Sequence, residues 1–410
     1  MRQKNLGKNI ARRIIEAVGG TGNPPEYGFQ FFTAGLHEYL DVIEREYLDD
    51  HIKNGGSVFK LVIGIYGGGK THFLYNVREL AWNHNYITSY IVLRPNETPF
   101  SKLELIYRGI VDNLIYKQSP EQLFELCERG IVSTLRKWFH EKYNEFNRSV
   151  EKELLVTELK RYVSDDLGPY DSISFKNAVK EAFIALLDDR EADFNLILQW
   201  LKGEDVPKSE LKKFHIYEKI DKTNAFKMIR SLIKWIKQIG YTGIVVLLDE
   251  GEQTPSMSTR EKNLLLSNLR ELVDACVHTD FRYSMWFYAV PDETFLEGQT
   301  NIYVALKQRL STIFDDEINP TGIKIYLEKI SIETIDLLEE IGQKLAKIYE
   351  LAYDINFDDT LLKKTINNIA TYSDERMYDI GVKRLFVQDV IKAFNILKRK
   401  GKEVNADDIL

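Results

Sequence analysis

The chain alternates short apolar runs with long segments in which apolar residues recur at helical spacing. Residues 58–63 form an apolar, β-branched run that only Lys60 interrupts, as expected for a strand covered on both faces. Residues 71–83 are helix-patterned, and residues 86–93 again resemble a strand. This order of strand, loop, helix and strand predicts a parallel α/β unit.

The remaining pattern completes an α/β fold and divides the chain. Further strands are predicted at 243–248, 282–289 and 322–327, with a helix at 260–277, which gives a five-stranded parallel sheet. We predict three regions: an N-terminal lead-in (1–36), a core (37–330) with a large helical insertion at about 102–238, and an all-helical C-terminal domain (331–410). The last region has the position of a lid over the end of the sheet.

Composition and charge exclude several classes of protein. The 410 residues contain two cysteines, Cys127 and Cys276, with no metal-binding spacing, so neither a disulfide framework nor a zinc site is expected. No apolar stretch is long enough to cross a membrane, and we expect a cytoplasmic protein. The net charge of -7 means that any contact with DNA requires a local basic surface.

A phosphate-binding loop follows the first predicted strand. Residues 64–71 read GIYGGGKT and match the Walker A pattern GxxxxGK[ST] in full. The glycines allow the backbone N–H groups to approach phosphates at the start of the next helix. We expect nucleotide contacts from Gly64, Tyr66, Gly67, Gly68, Gly69, Lys70, Thr71 and His72.

An acidic pair ends the strand predicted at 243–248. Asp249 and Glu250 follow this apolar run directly, in a Walker B arrangement. Thr71 and Asp249 are the predicted ligands of Mg²⁺, whereas Lys70 and Glu250 are predicted catalytic residues, with Glu250 as the general base. For nearby Glu252, a plain solvated side chain is the favoured interpretation. Since no guanine-reading NKxD motif is suitably placed, ATP is the expected nucleotide.

Three further positions each have a functional and a structural interpretation. Arg309 is predicted to be a catalytic arginine finger that acts on a neighbouring subunit, or else a surface ion-pair residue. Arg384 is predicted to close over the nucleotide from the C-terminal domain, or to be structural. Val290 occupies the place of a polar sensor of the γ-phosphate, and Asp292 could replace that sensor, although a helix N-cap before Glu293 is favoured.

Four cations on one predicted helix could contact DNA. Lys227, Arg230, Lys234 and Lys237 recur at a spacing of three or four residues, opposite an apolar face. Such a stripe could hold phosphates, but solvated lysines on the outer face of a packed helix are more common. The stripe therefore makes DNA a candidate partner without establishing it.

Several segments together resemble the BrxD family of ATP-binding proteins from BREX phage-defence systems. The shared features lie in residues 12–17, 24–25, 59–60, 64–71, 96–100, 103–108, 247–252 and 309–310. The resemblance is looser over the insertion, and Ala289-Val290-Pro291 departs from the family's usual Gly-Thr-Pro. It implies an AAA+-like or origin-recognition-type P-loop ATPase, with a partner helicase or other defence proteins.

Two functions are compatible with these residues. The first is an antiphage ATPase that couples ATP hydrolysis to action on DNA or on a partner helicase, with a homo-oligomer that shares its sites as an expected assembly. The second is a nucleotide-dependent switch or loader with little turnover, which the apolar Val290 motivates. Both require ATP and Mg²⁺ as ligands.

Overall fold

A mostly parallel sheet lies at the centre of the fold. The computed structural model describes residues 6–124, 128–250, 257–292, 301–310, 323–329, 333–376 and 381–409, and within these the sheet has six strands. They are β1 (Ser57–Ile63), β2 (Ile87–Leu93), β3 (Leu114–Ile115), β4 (Ile244–Glu250), β5 (Ser284–Val290) and β6 (Lys324–Tyr326). The order is β3-β2-β4-β5-β1-β6, and only β3 pairs antiparallel within the described sheet.

The predicted mixed α/β class is confirmed, but the predicted number of strands is wrong. Each of the five expected strands is present, while β3 is an additional edge strand inside the region expected to be helical. A strand of two residues has no periodicity of its own. Its pairing with β2 comes from tertiary contact, which the local sequence pattern does not contain.

Helices cover both faces of the sheet. Before and after β1 lie α1 (Lys8–Thr21), α2 (His37–Val42), a π-helical segment (Ile43–His51) and α3 (Lys70–Asn83). The long region between β2 and β4 holds α4 (Leu103–Asp112), α5 (Pro120–Phe124), α6 (Gly130–Ser149), α7 (Leu155–Asp165), α8 (Ile173–Leu187), α9 (Glu191–Leu201), α10 (Lys208–Leu211) and α11 (Ala225–Gln238). After β4 come α12 (Thr259–Val277), α13 (Asn301–Leu310), α14 (Thr334–Tyr353), α15 (Asp359–Glu375) and α16 (Val382–Lys400). None of the described helices is long and apolar enough to span a bilayer.

Three apolar clusters hold these layers together. One joins the insertion helices and α12 to one face of the sheet, and a second joins α2, the π-helical segment and α3 to the other face. The third combines α1 and residues 29–34 with α14, α15 and α16. At this third contact the helices are so close that a Cβ on Gly19 would lie 2.8 Å from Ile391 Cγ2. The N-terminal segment thus shares a core with the C-terminal helices.

The parallel strands bring their carboxyl ends to one edge. Ile63 is paired with Val290, and Asp249 is paired with both Val92 and Ala289. Since the loop after β1 and the acidic end of β4 lie at this edge, one strand, β5, separates them.

Candidate functional site

The glycine-rich loop joins β1 to α3 at the carboxyl edge of the sheet. Gly67 and Gly69 have φ angles of +71° and +101°, which side chains with a Cβ rarely adopt. In addition, a Cβ on Gly67 would lie 2.4 Å from Gly381 Cα, at the start of α16. The loop therefore requires glycine both for its turn and for its close contact with the C-terminal helices.

Lys70 is the first residue of α3, and its side chain folds back over the loop. Its Nζ donates to the carbonyl oxygens of Gly64 at 2.7 Å and Ile65 at 3.1 Å. Burial lowers the pKa of this amine, while Asp249, Glu328 and Glu250 act in the opposite direction. The cation is thus partly desolvated and has acidic neighbours on two sides of the loop.

Asp249 is held by two hydroxyl groups. Its Oδ2 accepts hydrogen bonds from Thr71 Oγ1 at 2.8 Å and Tyr90 OH at 2.6 Å. Burial raises the pKa of this carboxyl, whereas the two hydrogen bonds and Lys70 lower it. Because side chains alternate across a strand, Tyr90 lies on the same face as Val92, the residue paired with Asp249. Tyr90 is therefore a diagonal neighbour of Asp249.

Glu250 has an equivalent tyrosine on the other neighbouring strand. Tyr288 OH donates to Glu250 Oε1 at 2.8 Å, and Tyr288 is paired with Leu248, two residues before Glu250. Burial raises the pKa of Glu250 to about 8, and Asp249 and Asp292 raise it further, while the Tyr288 hydrogen bond and Lys70 lower it. The carboxyl group is fixed in position and less acidic than a solvated glutamate.

Three charged residues from later in the chain, Glu328, Lys383 and Arg384, also contact the loop. Glu328, two residues beyond β6, accepts a hydrogen bond from the Ile65 N–H at 2.7 Å. Lys383 Nζ donates to the carbonyl oxygens of Gly68 at 3.2 Å and Leu327 at 3.3 Å.

Arg384, the third of these residues, donates from Nε to Thr21 O at 2.9 Å and from Nη1 to Tyr66 OH. It also lies 5.4 Å from the centre of the Tyr66 ring. The residue predicted to close over a nucleotide therefore contacts the loop itself.

His72 points away from this loop. Its Nε2 lies 2.8 Å from Thr33 Oγ1, and its ring packs against Phe29 and Phe32. Burial, together with Lys383, lowers its pKa to about 3, so the ring is neutral. The imidazole, which was predicted to contact nucleotide, thus packs against residues 29–33.

Arg309 and Val290, two further predicted residues, make structural contacts. Arg309 pairs with Asp274 and donates to Ala305 O at 2.9 Å. Val290 is fully buried, and its carbonyl accepts from the Gly64 N–H at 3.1 Å. Glu252 and the helix start predicted at Glu293 fall outside the described residues.

The basic stripe on α11 carries counter-charges from this chain. Lys227 Nζ lies 2.9 Å from Glu218 Oε2, Arg230 and Lys234 both pair with Asp171, and Lys237 lies 4.8 Å from the centre of a tyrosine ring. Two carboxylates, Glu218 and Asp171, thus face three of the four cations of the stripe.

The residues of this edge suit a nucleotide with Mg²⁺. The loop binds an anion already, since the Ile65 N–H holds a carboxylate. Mg²⁺ typically takes one or two protein oxygens and completes its shell with water and phosphate oxygens. Thr71 and Asp249 supply such a pair, and no group of three or more His, Cys, Asp or Glu suited to a metal occurs among the described residues.

Sequence reasoning missed four residues of this site: Tyr90, Tyr288, Glu328 and Lys383. Tyr90 and Tyr288 lie in segments that were predicted only as apolar strands. A polar group near the end of a buried strand is itself an indication of a functional residue. Glu328 and Lys383 contact the loop only because β6 and the start of α16 meet there.

One comparison with known proteins identifies a family. A family profile described as "BREX system ATP-binding protein BrxC/D" matches residues 6–409. Neither the curated proteins nor the solved structures contain a significant match. Since the profile covers nearly the whole chain, including every residue of the loop and the acidic strand end, the protein belongs to the BrxC/D family of BREX system ATP-binding proteins.

Proposed function

We propose that this protein is a Mg²⁺-dependent ATPase of an antiphage defence system. The observation that carries the proposal is the convergence of Lys70, Thr71 and Asp249 at one sheet edge, with Glu250 beside them on β4. The family supports ATP binding, and the pair of carboxylates supports hydrolysis.

Each of these side chains has a defined part in the proposed reaction. Lys70 and the loop N–H groups would bind the β- and γ-phosphates, and Thr71 and Asp249 would hold Mg²⁺, which neutralises phosphate charge. Glu250 would accept the proton of the attacking water. Tyr288 would keep that carboxylate in place through the hydrogen bond it already donates.

We further propose that the chain is of the BrxD and AAA+-like type. The parallel strands with the loop after β1, the acidic pair on β4 and a C-terminal helical region contacting the loop support this assignment. Arg309 would then act on the site of a neighbouring copy after leaving Asp274. DNA, a partner helicase and other defence proteins are the proposed partners, with a homo-oligomer as the proposed assembly.

The test is ATP hydrolysis by the purified chain, with Lys70→Ala and Glu250→Gln as variants, with and without single- or double-stranded DNA. We expect Mg²⁺-dependent turnover that Lys70→Ala abolishes together with binding. Glu250→Gln should retain binding but lose turnover. Turnover that survives Glu250→Gln would contradict the assigned base, and turnover that ignores DNA would remove DNA coupling from the proposal.

A nucleotide-dependent switch is the second candidate, and two observations favour it. Val290 is apolar and buried where a polar sensor would be expected, and burial raises the pKa of the proposed base Glu250 above the usual value for a glutamate. Tight, Lys70-dependent binding with negligible turnover in every condition would establish the switch over the ATPase.

A further inference from the structure

Glu328 is an exposed carboxylate placed directly on the phosphate-binding loop. Its Oε1 accepts the Ile65 N–H at 2.7 Å, and a Cβ on Gly68 would lie only 2.9 Å from the same oxygen. A Cβ on Gly64 would lie 3.4 Å from it and 3.3 Å from Lys70 Cγ. The Glu328 carboxylate therefore lies in the turn of the loop, beside the aliphatic part of the Lys70 side chain.

This position puts a negative charge where a nucleotide would bring several more. Lys70 interacts with Glu328 as well as with Asp249 and Glu250, so part of the field of its cation is already balanced. A loop whose N–H groups and lysine attract phosphates is here supplied with an acidic group of its own. Like charges at such short range repel even in a solvated setting.

A lysine beside Glu328 connects the loop to the C-terminal helices. Glu328 follows β6, and Lys383 of α16 bridges the carbonyl oxygens of Leu327 and Gly68. Glu328 and Lys383 are thus held at the same strand end. If the Glu328 carboxylate moved off the loop, it would still be close to Lys383, with which it interacts.

We propose that Glu328 is an internal competitor of the nucleotide's phosphates and so sets the affinity and the charge selectivity of the site. The inference rests on the proposed nucleotide-binding function. Glu328 occupies an N–H group of the loop, and it weakens binding in proportion to the charge that the ligand carries. ATP is affected most, then ADP, then AMP, and adenosine is not affected.

The test compares two substitutions that separate charge from hydrogen bonding. Glu328→Gln keeps an oxygen for the Ile65 N–H but removes the charge, whereas Glu328→Ala removes both. We expect both variants to bind a non-hydrolysable ATP analogue about three- to tenfold more tightly than the wild type at low salt. The gain should shrink in high salt and be absent for adenosine, as measured by titration calorimetry. Glu153→Gln, an exposed glutamate of the insertion, is the matched control and should change nothing.

Several outcomes would overturn the proposal. If Glu328→Gln binds like the wild type and Glu328→Ala binds more weakly, Glu328 is a brace of the loop and not a competitor. Equal gains for ATP and adenosine would exclude a charge effect. Thermal unfolding without nucleotide checks that each variant folds.

The same titrations separate this inference from the proposed function. If nucleotide binding depends on Lys70 but has the same affinity in Glu328→Gln as in the wild type, then only the proposed competition by Glu328 is rejected. Absence of nucleotide binding in the wild type and in Glu328→Gln overturns both. Binding that emerges only in Glu328→Gln supports both.

Discussion

Lys60 lies in β1, and Lys70, ten residues later, begins α3. Both amines are desolvated, but the consequences differ. Lys60 sits inside β1 with 1% of its surface exposed, and its Nζ donates to Tyr47 OH at 3.0 Å and lies 4.3 Å from the centre of that ring. Lys70 lies at the loop, where its amine bonds two backbone carbonyls and interacts with three carboxylates.

The difference between them lies in the neighbouring charge. Burial lowers the pKa of Lys60 to about 7, while Glu46 acts in the opposite direction, so its charge is a cost to the fold. The carboxylates around Lys70 support its ammonium form at a place where an anionic ligand can enter. Burial therefore opposes the charged form of both lysines, but at Lys70 three carboxylates offset part of that effect.

The largest expected effect on nucleotide affinity is that of Lys70→Met. Loss of a partly buried cation that we propose to contact phosphates should weaken ATP binding on the order of a hundredfold, or about 3 kcal/mol. Chemical unfolding without nucleotide should show no loss of stability, because the amine is partly desolvated in the folded chain. A loss of stability comparable to the loss of affinity would mean that Lys70 mainly braces the loop.

Lys60→Met should give the opposite pair of results. Because the folded pKa of Lys60 is about 7 and its ordinary value is 10.5, the unfolded chain binds more protons between these pH values. The free energy of unfolding attributable to Lys60 therefore rises with pH across this window. Methionine should stabilise the protein by roughly 2 to 4 kcal/mol at pH 7, with the advantage disappearing toward pH 10.5.

Chemical unfolding of both proteins at several pH values measures this difference, and other titrating groups cancel in it. Nucleotide affinity, determined in parallel, should be unchanged. A constant difference between the wild type and Lys60→Met at every pH would contradict a titrating Lys60.

The two lysines also show how far sequence reasoning reaches. The strand at 58–63 and the loop after it have strong local signals, namely an unbroken apolar run and a fixed motif, and both were found. Lys60 was visible as the one polar residue in that run, but its partner was not. Tyr47 belongs to a π-helical segment (Ile43–His51), and sequence periodicity does not distinguish such a segment from an α-helix.

Contacts between neighbouring strands and between distant parts of the chain could not be predicted from local sequence patterns either. The diagonal placement of Tyr90 and Tyr288 beside the acidic pair depends on register, which is fixed only when the sheet forms. Glu328 reaches the loop only because β6 lies beside β1. Arg384 was expected near the nucleotide and contacts Tyr66, whereas the role of Arg309 on another subunit stays a prediction.

Tyr288→Phe tests whether an uncharged hydrogen-bond donor to Glu250 contributes to turnover. Removing the hydroxyl that donates to Glu250 should lower kcat about tenfold, or 1 to 2 kcal/mol, while KM and ATP affinity stay constant. Tyr107→Phe is the matched control, because this buried hydroxyl donates to Leu201 O at 2.9 Å in the insertion. It should cost similar stability without changing kcat. A parallel change in KM would show that Tyr288 supports the loop and not the base.

The smallest expected effect is that of Tyr47→Phe, which sharpens the account of Lys60. The ring stays and the hydroxyl that accepts from Nζ is lost, so stability should fall by about 1 kcal/mol at pH 7. The ammonium form loses that acceptor while the neutral amine loses less, which lowers the pKa of Lys60 further. In the Lys60→Met background the same substitution should cost nearly nothing, so that a double-mutant cycle gives a coupling of about 1 kcal/mol. An equal cost in both backgrounds would mean that Tyr47 stabilises the π-helical segment independently of Lys60, and the pH dependence predicted for Lys60 would then have to arise from burial alone.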